Sequence, residues 1–228
     1  FDDFDPFMRE PGVHLRWVRH PHQLGSPAAV ILPGTKATLA DLSWLRSMGW
    51  DRAIKEAAAK GAQIIGVCGG LQMLGITIRD SDGVEAAAGS ASAGLGMLQV
   101  ETSFCRDKET SQAVLQVATE YIDGYEIHAG VSSRDAQTRP FGRVVRRSGR
   151  VVDVEDGAIS RDGAIWGTYL HGLFHHDGFR RRWLQDLGWD GSEDGPVYTP
   201  DVEYDRIADA IESAIGWPTL ERFLFAAS

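Results

Sequence analysis

The residues best suited to chemistry lie in Ile64-Ile65-Gly66-Val67-Cys68-Gly69-Gly70-Leu71-Gln72-Met73-Leu74-Gly75. A short apolar run ends at a cysteine flanked by glycines, and a second apolar segment with helical spacing follows at once. A strand turning this sharply into a helix brings backbone against backbone, which small residues on both sides permit. The turn residue then stands exposed above the sheet, with the first amide N–H groups of the helix aimed at it. A thiol held there is favoured as thiolate, the nucleophilic form. A buried structural cysteine at a strand end is the ordinary alternative for this residue type. Gly66, Gly69 and Gly70, with polar Gln72 in the first helical turn, favour the nucleophile.

Cysteine chemistry needs a base, and the chain offers His14, His20, His22, His128, His171, His175 and His176. His14 lies in an expected strand and His20 and His22 in a Pro-containing loop, so these three read as surface groups. His171 ends the apolar run Ile165–Leu170 beside Gly172, at the carboxyl edge where open α/β sheets place functional side chains. Cys68 occupies the same edge, so the two can meet although far apart in sequence. His171, His175 and His176 have helical spacing that would suit a metal, but no Cys or carboxylate pattern accompanies them, and no metal site is expected. Gly34 follows Val30-Ile31-Leu32 and can point its N–H at the same edge. With the N–H of Gly69 it would form an oxyanion hole. Leu32-Pro33-Gly34-Thr35-Lys36 lacks the first glycine and the spacing of a phosphate loop.

The elements that must position these groups alternate. Val13–Val18 and Ala28–Leu32 read as strands, and Leu39, Leu42, Trp44 and Leu45 set a helical stripe. Trp50–Lys60 reads as a helix ended by Gly61, Gln63–Val67 as a strand, and the elbow helix runs to about Ile76. Asp80–Gly96, rich in Gly, Ala and Ser, reads as a loop. The texture then turns to β at Leu98–Phe104, Ala113–Thr119, Tyr125–His128, Arg143–Arg147, Val151–Val154 and Ile165–Leu170. Helical patterns close the chain at Phe179–Leu187, Asp201–Ile215 and Leu220–Phe225. The expected fold is α/β, a doubly wound, mostly parallel sheet with an antiparallel β extension.

Composition narrows the classes. Of 228 residues, 43% are hydrophobic, enough for a sizeable core. Lys and Arg total 23 against 32 Asp and Glu, a net charge of −9 that offers no footprint for nucleic acid. With two cysteines, one needed as a thiol, a disulfide framework is not expected and a reducing, cytoplasmic setting fits. No run is long and apolar enough to span a bilayer. Phe1-Asp2-Asp3-Phe4-Asp5-Pro6-Phe7 reads as a loop entered midway, as if the sequence were part of a longer polypeptide.

Gly66-Val67-Cys68-Gly69-Gly70-Leu71-Gln72 with a later strand-end His171 resembles the triad (class I) glutamine amidotransferases. Further segments resemble the glutamine amidotransferase domain of the cobyric acid synthases more specifically. They are Leu32-Pro33-Gly34-Thr35-Lys36-Ala37-Thr38-Leu39-Ala40-Asp41-Leu42, Gly124-Tyr125-Glu126-Ile127-His128-Ala129-Gly130 and Gly167-Thr168-Tyr169-Leu170-His171-Gly172-Leu173-Phe174. The opening residues are similar to that family's segment just after its first strand, so the resemblance runs from residue 1 to about 190. It implies that Cys68 attacks the carboxamide of glutamine and that N–H groups near Gly34 and Gly69 hold the oxyanion. His171 would act as acid and then base. Gln72 matches a position that contacts glutamine, and Glu126 and His128 would line the glutamine pocket or a domain interface, or be solvated strand residues.

The resemblance also implies that residues 1–228 are the C-terminal part of a longer synthase. Its N-terminal synthetase domain, absent here, would use ATP and Mg to amidate the b, d, e and g carboxylates of adenosylcobyrinic acid a,c-diamide. No cofactor is implied for the glutaminase part itself. A freestanding cysteine amidase and a catalytically idle binding module are the alternatives on the same fold. Triad enzymes follow the histidine with Pro-Glu, whereas Gly172-Leu173 stand here. Glu126 and Asp177 are the substitutes considered for orienting His171, and without an obvious one, glutamine hydrolysis is expected to be slow until a partner tightens the geometry.

Overall fold

The alternating pattern resolves into strand β1 (Ala29–Leu32), helices α1 (Thr38–Ser47) and α2 (Trp50–Ala59), strand β2 (Gln63–Val67) and the short helix α3 (Gly69–Leu74). Strands β3 (Thr77–Asp80), β4 (Ser90–Ala93), β5 (Val100–Val117), β6 (Glu120–Arg134), β7 (Gly142–Arg147), β8 (Arg150–Asp156), β9 (Ala158–Ile159), β10 (Ile165–Thr168) and β11 (Leu170–His171) follow. Helices α4 (Asp177–Asp186) and α5 (Pro200–Ile215) close the chain. This computed structural model describes residues 2–191, 200–217, 219, 221 and 222. They fall into two units, Phe1–Glu193 and Asp194–Ser228. The second contains α5; most of the helix expected at Leu220–Phe225 lies outside the described residues.

In the first unit a four-stranded sheet runs β1-β2-β10-β9, with β1, β2 and β10 parallel and β9 antiparallel at the edge. Side chains alternate across its faces. Gly66 and Gly167, paired in register, lie under α3. Trp166, one residue away and on the other face, packs against Phe174, Phe179 and Trp183 of the α4 region. Helices therefore cover both faces, and the expected α/β architecture stands. The antiparallel extension is a second sheet ordered β11-β6-β5-β3-β4, with β7 on β5 and β8 on β7.

Four local expectations are corrected. Val13–Val18 has a strand's alternation but pairs with no strand. It carries no regular secondary structure, and Arg16 donates to the carbonyls of Gln23 and Leu24. Asp80–Gly96 contains β4, whose Ser-Ala pattern carries no apolar alternation but which forms a ladder with β3. The broken β segments between 98 and 134 join into one long hairpin, with an irregularity between Ser103 and Lys108 where charged residues replace the apolar pattern. Ile165–Leu170 is not one strand. The chain leaves β10 at Tyr169 and enters the other sheet as β11, where His171 faces Tyr125. Buried Asp156 fixes the transfer, accepting from the Thr168 hydroxyl and, at 3.0 Å, from the Tyr169 N–H.

The opening residues are also not a free loop. Asp2–Arg9 form a 3-10 turn whose Phe4 and Phe7 are buried against Phe174, with Phe7 also on Trp183. Burial of a phenylalanine contributes about 1.5–3 kcal/mol relative to exposure, which docks a segment that has no strand partner.

Candidate active site

The elbow is built by close packing. A Cβ at Gly70 would fall 2.0 Å from the Leu32 carbonyl oxygen at the end of β1, and one at Gly66 2.5 Å from the Leu71 nitrogen. Only glycine lets β1, β2 and α3 approach this closely. The turn leaves Cys68 at φ 51°, ψ −110°, a strained conformation for a residue with a side chain. Its Sγ lies 3.6 Å from the Ile127 carbonyl oxygen of β6. Gly34 sits between Cys68 and His171: a Cβ there would lie 3.0 Å from His171 Cε1 and 3.5 Å from Cys68 Cβ. The N–H groups of Gly34 and Gly69 donate to no protein acceptor among the described residues. The four groups expected at one edge are thus brought together, although β11, and not the parallel sheet, delivers the histidine.

Neither carboxylate considered for orienting His171 does so. Glu126 accepts from Arg147 Nε at 2.7 Å and from its terminal nitrogen at 2.9 Å, and Asp177 accepts from Arg180 at 2.6 Å. The third group is Asp3. Its Oδ2 accepts from His171 Nδ1 at 2.8 Å and its Oδ1 from the Gly172 N–H at 2.7 Å, so one carboxylate fixes both ring and backbone. Tyr125 stacks on the ring at 5.0 Å and 11°. Burial works against the imidazolium, but Asp3 and Cys68 outweigh it and raise the His171 pKa to about 10. Burial would raise the Asp3 pKa; the bonds from His171 and Gly172 prevail and hold it below the ordinary carboxylate value. A charged imidazolium beside a cysteine, with backbone donors opposite, can open a carboxamide through a thioester.

Asp3 escaped sequence reasoning because it stands at the other end of the chain. The available signal was the interleaving of Phe4 and Phe7 with acids, which requires the segment to dock.

Over residues 1–179 the chain matches the family described as the CobB/CobQ-like glutamine amidotransferase domain. The chain belongs to this family. It is 46% identical over 232 residues to a cobyric acid synthase of Chloroflexus aurantiacus, covering 98% of this chain and 46% of that one. A cobyric acid synthase of Roseiflexus castenholzii is 46% identical over 222 residues, covering 95% and 44%. The chain therefore spans a little under half the length of these relatives. In fold it is similar to a crystal structure of a glutamine amidotransferase, at a TM-score of 0.60 and 20% identity over 81% of this chain and 90% of that one.

In this CobB/CobQ-like chain each of the remaining expected residues spends polar atoms on protein partners. Gln72 is 2% exposed; its Nε2 donates to the Ala129 carbonyl and to Tyr169 Oη, both at 3.2 Å, and its Oε1 lies 3.2 Å from Thr38 Oγ1. Glu126 is buried in its pair with Arg147, and His128 stacks on Tyr169 at 4.0 Å with Nδ1 on the Gly130 carbonyl. Tyr125, on the opposite face of β6, is the strand's side chain that meets His171. The three clustered histidines do different things: His171 takes Asp3, His175 Nε2 donates to the Asp2 carbonyl, and His176 accepts the Phe179 N–H to cap α4. Among the described residues no group of His, Cys, Asp or Glu is arranged to hold a metal, and no helix is long and apolar enough to cross a membrane.

Proposed function

We propose that this chain is the glutaminase part of a cobyric acid synthase, with Cys68 as nucleophile, His171 as acid and base, Asp3 as the group that orients His171, and the N–H groups of Gly34 and Gly69 as the oxyanion hole. The observation that carries this is the contact geometry of Cys68 and His171 around Gly34, with Asp3 bonded to His171. It stands in a chain similar along almost its whole length to cobyric acid synthases. The Cys68 thiolate attacks the carboxamide carbon of glutamine, and the carbonyl electrons move to an oxygen held by the two N–H groups. Imidazolium His171 gives its proton to the nitrogen as the C–N bond breaks, and ammonia leaves a glutamyl thioester. Neutral His171 then takes a proton from water, the hydroxide attacks the thioester, and the C–S bond breaks to release glutamate and restore the ion pair. Buried Gln72 and Glu126, with half-buried His128, form the wall behind the glutamine site and hold α3 and β6 in place.

In this reading residues 1–228 act with an N-terminal synthetase domain of the same polypeptide. That domain uses ATP and Mg to amidate the b, d, e and g carboxylates of adenosylcobyrinic acid a,c-diamide with the ammonia, in the cytoplasm. Glutamine hydrolysis tests the proposal. The chain should release glutamate and ammonia, and Cys68→Ser should release neither. In a complete synthase, Cys68→Ser should retain amidation from free ammonia, which bypasses the thiol. Glutamine-dependent turnover by Cys68→Ser within tenfold of wild type overturns the assignment.

A further inference from the structure

His171 is tied at one nitrogen and covered on one face. Its Nδ1 meets Asp3 Oδ2 at 2.8 Å. Its Nε2 lies on the side of Gly34 and Cys68, where a Cβ at Gly34 would be 3.7 Å from Nε2 and 3.5 Å from Cys68 Cβ. A single hydrogen bond leaves rotation about the Cβ–Cγ bond soft, because that torsion of histidine is broad. The ring of Tyr125 restrains it: the two rings stack at 5.0 Å with 11° between their planes. A swing of the imidazole out of line with Asp3 and Cys68 would break this parallel contact.

Strand register builds the stack. Tyr125 of β6 stands directly opposite His171 of β11, so both side chains project from the same face. Gly124 lets the strands come this close, since a Cβ there would fall 2.2 Å from the His171 carbonyl oxygen. Tyr125 is 38% exposed, and among the described residues its hydroxyl takes part in no hydrogen bond, so what it offers is the face of its ring. An aromatic face carries negative potential and attracts a cation within about 6 Å of its centroid. We propose that Tyr125 is a positioning residue for His171, its ring holding the imidazolium in line between Asp3 and Cys68 and favouring the charged form that protonates departing ammonia. This rests on the glutaminase reading. The titratable groups around the stacked pair are Asp3 and Asp2 from the first turn, Cys68 from the elbow and His175 after β11. Burial, with Asp3, Asp2 and Cys68, raises the Tyr125 pKa, so the phenol is uncharged while His171 is an imidazolium.

The competing role for Tyr125 is plain apolar cover at the mouth of the site. Tyr125→Phe keeps the aromatic face without the hydroxyl, whereas Tyr125→Leu and Tyr125→Met keep apolar volume without the face. Tyr125→Phe should hydrolyse glutamine within about threefold of wild type. Tyr125→Leu and Tyr125→Met should lower kcat about 10-fold with KM changed little. They should also move the alkaline limb of kcat/KM down by roughly one pH unit. In NMR spectra the His171 Cε1 proton, shifted upfield by a stacked ring, should keep that shift in Tyr125→Phe and lose it in the two aliphatic variants. Unchanged resonances of the other histidines report that a variant is folded. Wild-type kcat or an unmoved limb in the aliphatic variants, or a change in KM alone, overturns the inference. So does a Tyr125→Phe chain that loses as much as they do. In each of these cases wild-type turnover leaves the glutaminase reading intact. A wild-type chain that leaves glutamine untouched within its complete synthase overturns both.

Discussion

Gly34 is the residue on which the chemistry of the others depends sterically. A methyl group there would press on His171 Cε1 at 3.0 Å, tighter than ordinary contact, and would meet Cys68 Cβ. Gly34→Ala should therefore separate nucleophile from base and lower glutamine kcat/KM by about 10²-fold or more, the size of effect seen when reacting groups are misplaced by an ångström. Chemical labelling of Cys68 by a glutamine-like diazo ketone should fall with it, while half-buried Cys105 stays unlabelled in both proteins. The His171–Asp3 pair sets the pH response. A raised histidine pKa means that the bond's contribution is complete below 6.5 and is lost as pH rises through about 10. The lowered Asp3 pKa places the acid limit below 3.8. Glutamine turnover should accordingly hold through neutral pH and fall on the alkaline side as His171 loses its proton. Asp3→Asn should move that alkaline limb down toward the ordinary histidine range, which a pH profile of kcat/KM reads directly; an unmoved limb would show that Asp3 does not act through His171.

At the scale of elements, local chemistry was legible and long-range exchange was not. Gly66, Gly69 and Gly70 around Cys68 announce a tight strand-to-helix turn because the constraint lies within a few residues. The break at Tyr169 is invisible in the sequence. Its cause is Asp156, thirteen residues upstream, whose carboxylate captures the Tyr169 N–H and the Thr168 hydroxyl. Val13–Val18 shows the reverse case, strand alternation with no edge to pair. Docking of the first turn likewise depends on distant partners: Glu10, the buried residue that follows the turn, accepts from Arg180 Nε and Arg181 Nε, each at 2.9 Å. Removing that carboxylate takes a buried counter-charge from both guanidinium groups, although Arg180 keeps Asp177 and the Phe174 carbonyl. Glu10→Ala should cost about 3–5 kcal/mol of unfolding free energy, measured by chemical denaturation. It should also depress glutamine turnover, because the residues it anchors carry Asp3.

For the whole molecule, the missing Pro-Glu after His171 suggested a histidine oriented only when a partner docks. The structure supplies the orienting carboxylate from the opposite end of the same unit, with both oxygens engaged at 2.7 and 2.8 Å. The consequence can be measured by comparing the chain alone with the chain in a complete cobyric acid synthase. A positioned acid–base group contributes roughly 10² to 10⁴ in rate, so His171→Ala should lower glutamine hydrolysis by about that factor. Because Asp3 is present in both settings, the factor should be the same in each, even if the complete synthase runs faster through substrate capture or ammonia removal. A penalty confined to the complete synthase would mean that His171 is productive only when docked, and that the Asp3 bond does not suffice to align it. Asp3→Asn adds a second arm to the comparison: if alignment is internal, it should weaken both forms alike, whereas a docking-dependent histidine would leave the complete synthase unharmed.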